Sequence, residues 1–449
     1  MNDFKVDREY VEIYPINWTE INHDFVQKMF RTRSFDKLKE ISFYIHIPFC
    51  PVICPFCTFN KRLFNKKLYI RYIEALKKEI LMFKSHPDFE DRKVTAIYFG
   101  GGTGSMLIPE DTQDILFLLY DNFPISSKAE ITMECYPTTI DHDKLLKYKE
   151  MGVNRISIGT QSFDKENLRN IGRINTYSVN KTVIQEAKEI GFEKITVDLM
   201  YRFPNQTIDD LLMKDLEILI EINVDGISSY SLEVEATPLE KKLSEMPSDE
   251  IDKKMFYLVG EFLEQHGYRR FAQPDFAKPG KECRYVLNAW KAPQQLLLGF
   301  GAGAHTHYFG GYMWANIYPV EKYIEIVSKG YFPGVLGTYV SDDELMHKYI
   351  VLGVRCLEVD KNIFEKMFGA SIEDYFYLQI KDLVDFGWIE EKSDRYVVTK
   401  EGLWYIDNIS KKFYSKYNMG EKQPWGKNLY NFVPLNFYKS KEGGDKNEV

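Results

Sequence analysis

The chain has 449 residues, room for two or three domains of ordinary size, and 44% of them are hydrophobic, so a large core can form. A net charge of −8 with no basic block argues against a nucleic-acid partner. No apolar run approaches the roughly 18 residues of a membrane span. Six scattered cysteines without a signal peptide speak for a reduced cytoplasm and against a disulfide framework.

Residues 1–40 read as a short packed extension. From Ser42 the pattern alternates. Strands are expected at Ser42–Ile47, Val94–Phe99, Glu130–Cys135, Arg155–Thr160, Ile195–Met200 and Gly226–Val234. Helices are expected at Tyr69–Lys84, Pro109–Phe123, Asp141–Met151, Tyr177–Ile190, Ile208–Ile222 and Asp249–His266. Prolines at first turns and glycines after last turns punctuate them. Six such units predict an α/β fold, a partial (β/α)6 barrel over residues 41–290. In barrels of this kind, chemistry sits at the C-terminal ends of the strands.

From about residue 341 the alternation stops. Ser341–Val354 and Ile363–Phe386 read as amphipathic helices, followed by a small hairpin at Gly387–Ile389 and Arg395–Thr399. This predicts a mainly helical, winged-helix-like module within a substrate-covering region, 291–438. Ser371–Phe386 carries a single Lys, too little for a DNA-recognition helix. Residues 439–449 form a polar tail with the composition of a disordered segment.

Cys50, Cys54 and Cys57 follow the first strand with the spacing C-x3-C-x2-C. Electron-transfer clusters normally use four cysteines. Three on one loop hold three irons of a [4Fe–4S] cluster and leave the fourth iron open to a ligand. Zinc would need a fourth ligand, and Cys135, Cys283 and Cys356 are isolated. The glycine run Gly100–Gly102, before Thr103, lets the backbone approach a ligand and leaves N–H groups free, although a tight turn has the same composition. Glu134, Gln161, Arg173 and Asp198 fall at or after successive strand ends, where Glu and Asp suit an ammonium or ribose and Arg suits a carboxylate. Surface ion pairs are the plainer reading of each one singly. Tyr44 and His46 share one face of the first strand, opposite Phe43, Ile45 and Ile47, either near a cofactor or as a core pair. The aromatic total of 15% suits a packed core or a pocket for a flat ligand.

The cysteine spacing is that of the radical S-adenosylmethionine (SAM) superfamily. The chain further resembles its oxygen-independent coproporphyrinogen III oxidase-like (HemN-like) branch. Tyr44–Cys50, the Gly100–Thr103 loop, Glu134 with Pro137, Gly152–Phe163, Ile171–Arg173, Asp198-Leu199 with Phe203–Thr207, and Ser229–Leu232 carry that resemblance. It implies a [4Fe–4S] cluster on Cys50, Cys54 and Cys57, and two molecules of SAM. Tyr44, Phe56, Gly101 and Glu134 would contact the cluster-bound SAM. Gly102, Thr103, Gln161, Arg173, Asp198 and, less closely matched, Ser231 would contact the second. An electron donor such as flavodoxin or ferredoxin is implied as a partner.

The chain departs from the oxidases at Phe59, where they carry another cysteine, at Asn175 in Arg173-Ile174-Asn175, and at Arg202 before Phe203-Pro204. The haem-chaperone motif His-Asn-x-x-Tyr-Trp is replaced by Val286-Leu287-Asn288-Ala289-Trp290. These departures suggest the class C methyltransferases of the branch, which use one SAM as radical source and the other as carbon donor to an sp² carbon of a planar substrate (a quinone, heteroaromatic or tetrapyrrole). Gly299–Trp314, rich in His and aromatic residues, is the expected pocket segment, or else packing between barrel and module. An oxidative decarboxylase and a haem-binding chaperone are the alternatives.

Overall fold

The computed structural model describes residues 5–235, 237–291 and 295–419, so the expected tail at 439–449 lies outside the described residues. Six parallel strands follow one another in space as they do in sequence: β1 (Glu40–Ile47), β2 (Lys93–Gly101), β3 (Ile125–Cys135), β4 (Arg155–Gln161), β5 (Lys194–Tyr201) and β6 (Gly226–Ser231). Helices in the connections cover one face, giving the expected α/β barrel.

Each strand alternates strictly. Phe43 and Ile45, Ile97 and Phe99, Ile131 and Met133, Ile156 and Ile158, and Val197 and Leu199 face the helices, each at most 2% exposed. Side chains of this kind contribute about 1.5–3 kcal/mol apiece when fully buried. The intervening positions carry Tyr44, His46, Tyr98, Glu134, Arg155, Asp198 and Tyr230. The concave side of the sheet is therefore polar and aromatic rather than a packed hydrocarbon core. A closed barrel would have to fill that volume; an open one leaves it for a ligand.

Helix Tyr177–Ile190 shows how local sequence sets an element. Thr176 caps its start by accepting from Val179 N, Gly191 ends it at φ 82°, and Asn180, Val183, Ile184 and Ala187 form its buried stripe. Two expected helices are interrupted. Within 208–222 a π turn at Leu212–Leu216 separates two short helices. Its Asp215 is buried, accepting from Phe163 N (2.6 Å) and Ser162 Oγ (2.9 Å). Within 363–386, Gly369 at φ 73° stops one helix and Ser371 opens the next with a capping box to Asp374.

The sheet continues past residue 290. β7 (Asp275–Ala277) pairs antiparallel with β6 at one edge. At the other, β8 (Leu296–Phe300) runs parallel to β1, and β9 (His305–Phe309), β10 (Tyr312–Asn316) and β11 (Gly334–Tyr339) extend it antiparallel. The segment expected to be a pocket thus forms strands. Tyr308, Phe309, Tyr312 and Trp314 are all 7% exposed or less. The C-terminal module is mainly helical as expected, with helices Asp342–Gly353, Lys361–Phe368 and Ile372–Asp385; its expected hairpin gains a third strand, Glu358–Asp360. Among the described residues no helix is long and apolar enough to cross a membrane.

Candidate cofactor site

The cysteine loop leaves β1 at Ile47. Phe49–Cys50 pairs in parallel with Arg62–Leu63, Phe64 N donates to Cys50 O (3.0 Å), and Cys57 N donates to Cys54 O (3.2 Å). All three cysteines are free thiols; Cys50 and Cys54 are buried and Cys57 is half-buried. Both other cysteines act electrostatically on Cys50, so the three sulfurs are neighbours. Burial pushes the Cys50 thiol up to about 12 despite the hydrogen bond from Thr103. The free Cys50 thiol is therefore protonated, and cluster uptake must release its proton. Among the described residues no three His, Cys, Asp or Glu side chains gather tightly enough for a single metal ion. A polynuclear centre with one thiolate per iron suits this donor set better than zinc.

The glycine loop closes over the cysteines. A Cβ on Gly102 would lie 2.8 Å from the Pro48 carbonyl carbon and 3.1 Å from Cys50 Sγ. Gly101 sits at φ 105°, and a Cβ there would lie 2.5 Å from the His46 ring. Close approach is the role of these glycines. The expected free N–H groups are in use: Gly102 N and Thr103 N donate to Ile47 O (2.9 and 3.3 Å), and Gly101 N donates to Glu134 Oε2 (3.3 Å). Thr103 Oγ1 points at Cys50 Sγ (3.6 Å).

Glu134 lies on the inner face of β3 with no cation paired to it among the ion pairs of the described residues. Burial, then the charge of Asp198, push its carboxyl up to about 8. Asp198 is pushed up to about 6 by burial and then by Asp275. Two carboxyls held near neutrality in one bore are a receptor for a cation. Tyr44 joins them: its hydroxyl lies 3.2 Å from His46 Nδ1, whose Nε2 lies 2.9 Å from Asn60 O. Burial lowers His46 to about 4, so it stays neutral.

Gln161, Arg173 and Asp198 converge from three different loops. A Cβ built on Gly159 would have Gln161 Nε2 at 3.2 Å, Arg173 Nη2 at 3.5 Å and Asp198 Oδ2 at 3.7 Å. Gln161 adopts φ 67°, a strained conformation that aims its amide inward. Arg173 stacks on Tyr136 with 3.8 Å to the ring centre, donates to Gly159 O, and lies 3.8 Å from Cys54 Sγ. Phe56 packs against the buried cluster formed by Ile171, Met200, Phe203, Leu232, Val234 and Leu239, anchoring the cysteine loop to later strand ends. Ser231 stands apart, donating to Asp252 Oδ1 (2.9 Å).

Four residues of the bore escape motif reading. Arg155 on β4 donates to Thr196 Oγ1 (2.8 Å), and its Nε is buried with no partner. Asp275 accepts from Ser228. Tyr285, on helix Arg284–Trp290, has its ring centre 4.7 Å from that of Tyr98 and 6.1 Å from that of Tyr44. Tyr230 is 40% exposed although its phenol lies deep in the molecule, so that exposure is to the bore. The inward phase of Arg155, Tyr230 and Asp275 in their strands is the signal that could have found them; Tyr285 has no such signal.

Residues 44–215 match the Radical SAM superfamily and residues 340–405 match the HemN C-terminal domain. The chain is 33% identical to the heme chaperone HemW of Bacillus subtilis, over 80% of this chain and 96% of that protein. It is 27% identical to the oxygen-independent coproporphyrinogen III oxidase of Helicobacter pylori, over 90% and 93%. The structure of coproporphyrinogen III oxidase (HemN) from Escherichia coli superposes with a TM-score of 0.78 at 25% identity, covering 90% of this chain and 96% of that one. These names overturn the expectation of a class C methyltransferase. Departures at Phe59, Asn175 and Arg202 show what the chain lacks relative to the oxidases, and they do not select a third activity. Likeness along nearly the whole length outweighs them, and the chain belongs to the HemN-like radical SAM family, whose members bind a [4Fe–4S] cluster and SAM.

Proposed function

We propose that this protein is a radical SAM haem-binding protein of the chaperone kind, with the tetrapyrrole taken up beside the SAM site. The observation that carries this reading is the tyrosine-lined bore: Tyr44, Tyr98 and Tyr285 stack in sequence next to Glu134, and Tyr230 stands open to the same space. A flat aromatic ligand matches such walls. The heme chaperone HemW of Bacillus subtilis supports haem as the tetrapyrrole. The coproporphyrinogen oxidase reading draws on the likeness to the Helicobacter and Escherichia enzymes. Phe59, 55% exposed, stands where those oxidases resemble one another in having a cysteine, and it favours the haem reading.

In this reading Cys50, Cys54 and Cys57 hold the cluster. Bound together, cluster and SAM supply one-electron cleavage of SAM, with flavodoxin or ferredoxin as the reductant. Glu134 takes the SAM ammonium, Tyr44 and Phe56 wall the site, and Gly101 lets the ligand lie close to the backbone. Gln161, Arg173 and Asp198, with Gly102 and Thr103, form a second SAM site. Ser231 belongs to it only if its bond to Asp252 is exchanged.

Titration of the cluster-loaded chain with ferric haem should give one saturable site by absorption. Incubation with coproporphyrinogen III under reducing conditions should release no carbon dioxide. Decarboxylation with no haem binding would replace this reading by the oxidase one.

Two further outcomes follow from the carboxyls and Arg173. Free Glu134 is protonated below about pH 8, and only its carboxylate attracts an ammonium. SAM affinity should therefore rise with pH, by up to roughly tenfold per unit, to a maximum near that value and fall above it, where the SAM α-ammonium (ordinarily about 7.7–8.0) loses its own proton. Glu134→Gln should remove the slope. Arg173→Ala should reduce SAM stoichiometry from two to one, because a charge-assisted bond of about 1.5–3 kcal/mol is lost. Equilibrium dialysis at several pH values reads both.

A further inference from the structure

The segment that follows the cysteines is charged against the trend of the chain, which has 66 acidic and 58 basic residues. Residues 41–73 hold no Asp or Glu, yet they hold Lys61, Arg62, Lys66, Lys67 and Arg71. Lys66 and Lys67 are the first two residues of helix Lys66–Met82, whose first turn has no acid. A cation there meets the positive end of the helix dipole, so the placement is unfavourable for the helix itself. Lys67 and Arg71, at i and i+4, add a repulsion between like charges. Glu74, one turn further, is the first acid of the helix. Lys66, Lys67 and Arg71 are exposed, and none of them pairs with a carboxylate among the described residues. Arg62 does pair, with Glu321.

Apolar side chains lie bare among these cations. Leu63 is 60% exposed, Ile70 49% and Phe64 39%. Ile70 stands one turn beyond Lys66 and Lys67 on the same side of the helix. Phe64 is held in place, its ring centre 5.6 Å from that of Tyr69 and 6.1 Å from that of Phe49. The patch belongs to the outer helix layer. Arg62 reaches Glu321 on helix Val320–Ser328, and helix Lys66–Met82 packs on that helix through Tyr72 and Tyr323, with 5.3 Å between ring centres. The same segment is tied to the cysteines. Arg62–Leu63 pairs with Phe49–Cys50, Phe64 N donates to Cys50 O (3.0 Å), and Lys61 Nζ donates to Cys57 O (2.6 Å).

We propose that this face, centred on Leu63, Phe64, Lys66 and Lys67, docks the acidic one-electron carrier protein that reduces the cluster. Charge complementarity selects the partner. An acidic carrier is repelled by a chain of net charge −8 and drawn to its one stretch of uncompensated cations. A small, partly apolar contact suits a carrier that must leave after each electron. In the step itself the reduced carrier loses one electron and the oxidised cluster gains it, with no bond made or broken. The hydrogen bond from Phe64 N to Cys50 O is a direct route from this surface to a cluster ligand. This inference rests on the reductant named in the reading above and is independent of haem.

The test titrates the full cluster-loaded chain with flavodoxin and with ferredoxin, both acidic, by calorimetry at low and high salt. At least one should bind the wild type, and salt should weaken it. In Lys66→Glu/Lys67→Glu that affinity should fall roughly tenfold and depend less on salt. Leu63→Ser should weaken binding and keep the salt dependence. Lys128→Glu/Lys366→Glu makes the same change in net charge on exposed lysines elsewhere and should bind as wild type does. Lys66→Glu/Lys67→Glu should be no less stable to heat than wild type, since acids suit a helix start, and should hold as much iron. A weaker complex is then no folding defect. Dithionite, a small reductant that needs no docking, should drive equal 5′-deoxyadenosine release from every variant. Unchanged carrier affinity in the double reversal, or no binding of either carrier to wild type at low salt, overturns the docking assignment, and release with dithionite then leaves the SAM reading standing. No release from wild type with dithionite overturns that reading and this inference with it.

Discussion

Alanine at Cys50, Cys54 or Cys57 should abolish the cluster, with iron falling from about four per chain to near zero after anaerobic reconstitution. The loop offers no substitute ligand. Thr103 and Arg173 approach the cysteine sulfurs as donors, and the nearest imidazole, His46, is held between Tyr44 and Asn60. SAM cleavage should fall with the iron. Cys135, Cys283 and Cys356 are buried away from the loop, and alanine there should leave iron content unchanged. Iron analysis together with 5′-deoxyadenosine release reads all six variants. Full SAM cleavage by any of the first three would refute the ligand assignment.

Arg355→Met should be strongly destabilising, by about 3–5 kcal/mol, the range for breaking a buried ion pair from one side. Arg355 is fully buried. It donates to Asp407 Oδ1 (2.7 Å) and Gln273 O (3.1 Å) and stacks 3.8 Å from the Tyr10 ring centre. One guanidinium thus joins the N-terminal segment, the barrel and helix Ile406–Lys412. Its positive charge also restrains Glu12, which burial has raised to about 7. Without Arg355 that value climbs further above the unfolded one. A carboxyl with a raised folded pKa contributes stability at low pH and loses it as pH rises through the folded value. The deficit of Arg355→Met should therefore be larger at pH 8 than at pH 6, measured as a shift in urea midpoint.

The sequence by itself determined the barrel and its cofactor end. Period-two alternation in β1 to β5, helix-period stripes between them, and turn residues at the boundaries act within a few residues, so they are readable without the fold. The cysteine spacing is equally local. Glu134, Gln161, Arg173 and Asp198 were legible because parallel strands must end on one side, and the structure brings the last three together over Gly159. Helix breaks at Gly369 and Leu212–Leu216 were locally encoded at best in part: the first by a glycine, the second involving an Asp215 that answers to a distant strand end.

Only the tertiary structure decided the rest. Residues 296–339 alternate too irregularly to announce strands, and β8 becomes one by pairing with β1, far away in sequence. Tyr285 and Arg355 gain their roles from packing between segments far apart in sequence, which no local motif records. Which tetrapyrrole chemistry the chain resembles was likewise not written in single motif positions. A substituted residue records a lost interaction, whereas the whole sheet and module record the shape that remains.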